Sequence, residues 1–257
     1  MQTITAGCAA LLIGQLLVAA ARAEMPAAQA RAILQANQDA VLLVQGTIKF
    51  VDAKSEMNVA LAGTVVDASG LVMISSTMGA AEWKNAEQHL SLRLPDGAEI
   101  PARLVLSDDD LGLAVLAAAP RPGDPRPVFK TVALDREAQA AVYADVVTLG
   151  RLGKEYHFRP AVDTGKVLAV TTHPRTLYLV NTNPGGPYRC GLPTFLADGR
   201  LLGINTIKRA GNVARRPGSM NLPPPMPDAL ERLVPAAALT ELLEQARQAA
   251  GKPSAGR

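Results

Sequence analysis

Residues 62–78 read AGTVVDASGLVMISSTM, and this stretch decides the fold. Two short runs rich in β-branched and aliphatic residues, 61–66 and 71–74, flank the turn residues DASG, which is typical of a β-hairpin. Similar short runs follow along the chain, separated by turn signals such as Asp96-Gly97. Many short strands with turn residues between them predict an all-β barrel or sandwich.

Outside this hairpin, the β-pattern covers most of the chain and helices are expected at its two ends. Residues 26–39 have helix-favouring composition without an internal glycine. Leucines recur at helical spacing within 228–250, but Pro235 interrupts them, so we expect a turn and then a helix that starts near this proline. The further predicted strands are 40–51, 89–94, 102–106, 113–117, 142–149, 161–170, 177–181, 194–196 and 201–206.

The overall composition is that of a folded protein without a nucleic-acid surface. Hydrophobic residues make up 48% of the 257 residues and charged residues 19%, which supports a sizeable core. The net charge is +3, and the charges are scattered along the chain. Because no basic stripe is visible, nucleic acid is not expected as a partner.

The N-terminus predicts export to the periplasm or secretion. Residues 6–21 are apolar apart from one glutamine, and Ala21-Arg22-Ala23 is a small-x-small cleavage pattern, so 1–23 is read as a signal peptide. An uncleaved anchor is the alternative, although the run is shorter than a membrane-spanning helix requires. Cleavage would remove Cys8 and leave Cys190 alone, without an intramolecular disulfide or a stable membrane span.

Three segments occur in an order that resembles the HtrA/Deg group of trypsin-like serine proteases. The 62–78 hairpin is similar to the family pattern G-S-G-x-I-x-x-x-G-x-x-x-T-N-x-H-V, and Thr77 occupies the place of its catalytic histidine. The run LPDGAEIPARLVLSDDDLGLAVL at 94–116 is similar to L-x-D-G-x-x-x-x-A-x-x-x-x-x-D followed by D-L-A-V-L. In that second pattern Gly112 stands where the family has the aspartate that orients the histidine.

The third segment runs from YLVNT at 178–182 through PYRCGLP to LGINT at 202–206, and it resembles the stretch around G-N-S-G-G-P and the following G-I-N-T strand. Cys190 falls at the nucleophilic serine. Tyr188 replaces a glycine of the oxyanion hole, whose other position is that of Cys190, and Leu192 replaces the second glycine after the nucleophile. The resemblance covers about 41–205.

The resemblance implies two six-stranded antiparallel β-barrels with short N- and C-terminal helices. Many members of the group carry a peptide-binding PDZ module, whereas none is expected after the last helix of this sequence. The expected division of the chain is a signal peptide at 1–23, a first barrel within 24–120, a link at 121–130, a second barrel within 131–227, and a C-terminal helix and tail at 228–257.

The substitutions predict a proteolytically inactive homologue, a pseudoprotease that acts by binding or scaffolding. A serine nucleophile needs a base to take its proton, and that base needs a third group to orient it. Neither Thr77 nor Gly112 supplies such a group. The alternative is a peptidase of altered mechanism with Cys190 as nucleophile; this cysteine could equally be a small buried residue or a redox site. A structural remnant without an open cleft is a third hypothesis.

The resemblance implies that the expected partner is an extended peptide or a protein of the cell envelope. Such domains pair a peptide with a strand edge beside the nucleophile loop, here Thr206, Ile207 and Lys208, and this pairing needs no catalytic residue. No cofactor or metal is expected, because the three successive aspartates at 108–110 are typical of a solvated turn, with a hard-cation site as the alternative. The basic residues within 208–216 are read as a loop, with an anionic partner as the alternative.

Overall fold

Twelve strands close into two antiparallel barrels of six strands each, and this confirms the predicted all-β, two-barrel class. The structure is a computed structural model that describes residues 25–50, 55–76, 86–124, 127–182, 190–207 and 231–251. Within these ranges two helices accompany the barrels, one before the first barrel and one after the second. Both helices were expected from the sequence.

The first barrel follows the N-terminal helix α1. In it, β3 lies between β2 and β6, and pairing of β1 with β4 closes the barrel. The bounds are α1 Ala27–Asn37, a 3₁₀ turn Gln38–Ala40, β1 Val41–Phe50, β2 Ser55–Asp67, β3 Leu71–Ser75, β4 Ala86–Arg93, β5 Glu99–Asp108 and β6 Leu113–Ala118.

The second barrel precedes the C-terminal helix α2. Its strand order is β10, β11, β12, β9, β8, β7, and pairing of β10 with β7 closes it. The bounds are β7 Asp145–Arg151, a 3₁₀ turn Lys154–Tyr156, β8 Pro160–Thr171, β9 Leu177–Val180, β10 Pro193–Leu196, β11 Leu201–Ile207, β12 Glu231–Pro235 and α2 Ala236–Ala250.

The last strand of the second barrel lies beyond residue 227, where we expected the barrel to end. We expected a turn after Asp228, but β12 pairs with β11 and supplies the sixth strand of the barrel. Leu233, which belongs to the series of leucines at helical spacing, is fully buried in this strand. Pairing with β11 therefore overrides the local helical pattern, and the helix begins only after Pro235.

The segment between the barrels is fixed to the first barrel. Phe129 is buried, and its ring lies close to Gly70. A Cβ added to Gly70 would stand 2.6 Å from the nearest ring atom of Phe129. Val132 donates its N–H to the carbonyl of Val65 at 3.1 Å. The C-terminal part of the predicted 121–130 link thus packs as part of the core instead of spanning open solvent.

The two barrels share one hydrophobic core. Its main cluster contains residues of the first barrel together with β7, β10, β11 and α2, for example Val72, Leu149 and Leu242. A smaller cluster fills the far part of the second barrel around Tyr178 and Leu202. No helix among the described residues is long and apolar enough to cross a membrane.

Candidate functional site

Two of the residues that the sequence comparison matched to catalytic positions, Gly112 and Cys190, are described in the structure. Gly112 immediately precedes β6, and Cys190 lies in the turn before β10. Ser76, the last described residue of the hairpin, donates its N–H to the carbonyl of Gly112 at 2.9 Å. Thr77 and Tyr188 lie outside the described residues. The structure thus brings Gly112 to the residue next to Thr77, as the resemblance implies.

Gly112 has a backbone conformation that favours glycine. Its φ of +68° lies in the left-handed region, which most side chains avoid. A Cβ placed on it would stand 3.0 Å from the hydroxyl oxygen of Thr206 and 3.3 Å from the carbonyl oxygen of Ile207. The position is therefore occupied by glycine for a local reason, and it offers little room for a carboxylate.

A network of hydroxyl groups connects the barrels beside Gly112. The Thr206 hydroxyl donates to the carbonyl of Gly112, and Ser75 Oγ lies 3.1 Å from Thr206 Oγ1. Because the proton of Thr206 is used, Ser75 donates in this pair, and Ser75 Oγ accepts the N–H of Ile207 at 3.2 Å. Both hydroxyl side chains are buried. The network satisfies its own hydrogen bonds and contains no acid or base.

Arg232 of β12 brings a positive charge to the aspartate position. Its Nη2 would lie 3.6 Å from a Cβ at residue 112, and it donates to the carbonyl of Asp110. Its Nε is buried without a hydrogen-bond partner among the described residues. Burial and the nearby Arg175 lower the pKa of Arg232, against the opposing effect of Asp110 and Asp108. A guanidinium thus faces the place where the family has a carboxylate.

The nucleophile turn is held against the first barrel through Gly191. Its φ is +88°, its carbonyl accepts the hydroxyl of Thr64 at 2.7 Å, and its N–H donates to the carbonyl of Asn205 at 2.8 Å. Cys190 is a half-buried thiol. Leu192 is fully buried, and its side chain packs in the shared core.

The predicted peptide-binding edge begins inside the second barrel. Along β11, the pairs with β10 end at Ile204, whereas the pairs with β12 continue to Ile207. Thr206 belongs to the hydroxyl network, and the N–H of Ile207 is held by Ser75. Lys208 lies outside the described residues, so the edge as a whole stays a prediction.

Two of the three histidines and the first residue of the triple aspartate have local partners. His89 Nε2 lies 3.0 Å from Glu87 Oε1, and His173 Nδ1 lies 3.2 Å from the Thr172 hydroxyl. Asp108 accepts the N–H of Leu111 at 2.8 Å, which fixes the turn that leads to Gly112. Among the described residues, no three His, Cys, Asp or Glu side chains gather in a group that could hold a metal ion.

The two six-stranded barrels, with the nucleophile turn and the aspartate position at their junction, define a protein of the two-barrel peptidase class. A family model described as the trypsin-like peptidase domain matches residues 61–204, more than half of the 257 residues. The chain belongs to this family. A search of curated proteins finds no match.

Proposed function

We propose that the chain is an exported, proteolytically inactive trypsin-like protein that binds an extended peptide, or a strand of a partner protein, in the cleft between its barrels. The observation that carries the loss of activity is the environment of residue 112. A left-handed glycine, a hydroxyl network and the Arg232 guanidinium occupy the place of an orienting carboxylate. The sequence adds Thr77 at the histidine position and Tyr188 in the oxyanion hole.

These changes affect separate parts of one mechanism. With Thr77 at the place of the histidine, that position supplies no base for the thiol of Cys190, and with Gly112 at the place of the aspartate no carboxylate would hold a base in one tautomer. A guanidinium cannot replace that carboxylate, because it only donates hydrogen bonds and carries the opposite charge. Substrate hydrolysis therefore has no proton acceptor among the positions that supply it in the family.

We expect the mature protein to show no endopeptidase activity. Unfolded protein substrates should remain intact after prolonged incubation, and a fluorophosphonate probe should leave the protein unlabelled. Mass spectrometry and gel analysis measure both results. Time-dependent cleavage that disappears in Cys190→Ala would contradict the proposal and would support the alternative of a peptidase with a cysteine nucleophile.

Binding can persist because it depends on backbone groups. A peptide that adds to an exposed strand edge is held by main-chain hydrogen bonds, which need no catalytic side chain. The end of β11 lies beside the nucleophile turn, since Gly191 bonds to Asn205 and Ile207 contacts Ser75. The buried position of Leu192 supports an open cleft at this point.

We expect Ile207→Pro or Lys208→Pro to abolish the binding of extended peptides selected from an unbiased library. Proline lacks the N–H that a ladder needs, so affinity should fall at least about tenfold. Fluorescence anisotropy with a labelled peptide measures the change. Ser75→Ala is the matched control, because it removes the present hydrogen-bond partner of Ile207 but keeps the edge, and it should bind at least as well as the wild type. Equal binding by both proline variants would show that the cleft is vestigial.

Export is proposed from the N-terminal sequence. The apolar run and the Ala21-Arg22-Ala23 pattern support cleavage after Ala23. Intact-mass analysis of the exported protein should give Glu24 as the first residue. A full-length species retained in the membrane would contradict cleavage and favour the anchor.

A further inference from the structure

A pocket of about 170 Å³ lies where the first barrel meets the turn that follows β7. Its wall includes the side chains of Arg93, Arg151 and His157, together with the apolar groups of Leu43 and Phe158. Neither the resemblance nor the family match assigns a role to it. The two guanidinium groups of Arg93 and Arg151 beside a cavity of this size point to an anionic ligand.

Arg151 is the central group, because it is a buried cation whose hydrogen bonds are incomplete. Arg151 is only 8% exposed, and its guanidinium donates to the carbonyls of Gln38, Val41 and Phe158. A guanidinium has five N–H donors, so two remain. Among the described residues no carboxylate is within ion-pair distance of it, and burial lowers the pKa of Arg151 while Asp39 opposes this effect.

Arg93 provides a second, more accessible guanidinium. It forms an ion pair with Glu99 at 3.2 Å, and its guanidinium carbon lies 5.0 Å from the centroid of the Phe158 ring. These two contacts fix its orientation at the wall. The acidic side chain of the wall is Asp96, which is exposed and accepts the N–H of Ala98 at 2.9 Å. The lining thus carries two guanidinium groups against one carboxylate.

The pocket lies close to the nucleophile turn. Leu43 pairs with Ala62 in the first barrel, and a Cβ on Gly191 would overlap the carbonyl oxygen of Ala62. Neighbouring strands are about 4.8 Å apart, so the pocket wall at Leu43 and the turn at Gly191 are separated by about one strand spacing. The pocket and the nucleophile turn are therefore neighbours, but neither needs the other in order to bind a ligand.

We propose that this pocket binds a small oxyanion, and that the carboxylate of an acidic peptide held in the cleft is its source. A carboxylate would accept charge-assisted hydrogen bonds from Arg151 and Arg93 and would supply the counter-charge that the buried Arg151 lacks. The oxyanion site rests on the pocket alone. The assignment of the source rests on the proposed peptide binding.

The site is tested by NMR titration of the ¹⁵N-labelled mature protein with sodium acetate and sodium phosphate, at ionic strength held constant with sodium chloride. The arginine Nε–H signals of Arg93 and Arg151 should shift and saturate. Arg93→Gln should weaken binding about tenfold or more, since it removes a charge-assisted partner. Arg136→Gln is the control, because Arg136 is exposed and pairs with Glu244 away from the pocket, and binding should be unchanged. Shifts that never saturate, or equal affinity in Arg93→Gln, would overturn the site.

The source is tested with pairs of selected peptides that differ in their carboxylates. The acidic peptide should compete with acetate at the pocket, whereas the version with Asn and Gln in place of Asp and Glu, and with an amidated C-terminus, should not. Equal competition by both versions, with saturable acetate binding, would assign the pocket to a free oxyanion and overturn the peptide source. If acetate fails to bind but peptides still require the Ile207 edge, the pocket fails and the proposed function stands.

Discussion

A chain that carries Thr77→His, Gly112→Asp and Cys190→Ser together is expected to cleave protein substrates at least about 10²-fold more slowly than an active trypsin-like peptidase assayed beside it. The new carboxylate would be placed on a left-handed backbone, against the Thr206 hydroxyl and within reach of the Arg232 guanidinium. An ion pair with Arg232 would then compete with the histidine for it. The oxyanion hole would still contain Tyr188, and one lost donor costs about 10²–10³ in rate.

Two added substitutions separate the effect of the Arg232 charge from the effect of Tyr188 in the oxyanion hole. Adding Arg232→Gln to the triple variant removes the competing charge, and adding Tyr188→Gly restores the glycine of the hole. Each addition should raise kcat, and both together should raise it most, because groups of one catalytic unit act non-additively. Steady-state kinetics with a fluorogenic protein substrate measures the series. Robust turnover by the triple variant itself would mean that the environment of residue 112 adapts and that the hole is intact.

Gly191→Ala is expected to lower the free energy of unfolding by about 2–5 kcal/mol. Two effects add: the φ of +88° is unfavourable for alanine, and its Cβ would overlap the carbonyl oxygen of Ala62 and stand 3.2 Å from the amide nitrogen of Ser75. Relief of the overlap requires the nucleophile turn to move away from the first barrel. Urea unfolding followed by circular dichroism gives the change in midpoint.

Gly199→Ala is the matched control for the backbone effect. Gly199 has a φ of +87°, and a Cβ there would meet no atom within 4 Å. This variant should lose about 1–2 kcal/mol from the unfavourable backbone alone. The difference between the two alanine variants isolates the contact with Ala62. Equal losses of unfolding free energy in the two variants would show that the turn carrying Cys190 is not in tight contact with the first barrel.

The sequence predicted the two barrels because the signals for their strands and turns are local. The hairpin around Gly70, the turn glycines and the order of the three motifs depend on near neighbours in the chain. The same motifs placed Gly112 at the aspartate position, and the structure brings it next to Ser76. Such features survive the loss of catalytic residues, since backbone packing keeps them in place.

The contacts that complete the site could not be predicted in this way. Ser75 and Thr206 are 131 residues apart, and nothing in either local sequence indicates that their hydroxyls meet. Arg232 and Leu233 lie in a segment whose leucine spacing favoured a helix, so the strand that brings Arg232 to residue 112 was missed. Arg151 is the last residue of β7 and has no motif around it, although a lone arginine at the end of an apolar run was a usable signal.

Because of the shared core and the hydrogen bonds that cross the junction, we expect the two barrels to unfold as one unit in calorimetry. Residues of both barrels fill a single cluster, and Arg151 of the second barrel is tied to carbonyls that precede and begin β1. Separating the barrels would expose that cluster and remove two of the three carbonyl acceptors of Arg151, those of Gln38 and Val41. A chimera that joins one barrel of this protein to the other barrel of a relative would therefore inherit a mismatched junction, even if each half kept its own strand order. The residues of the junction are thus constrained by folding, whether or not they take part in catalysis.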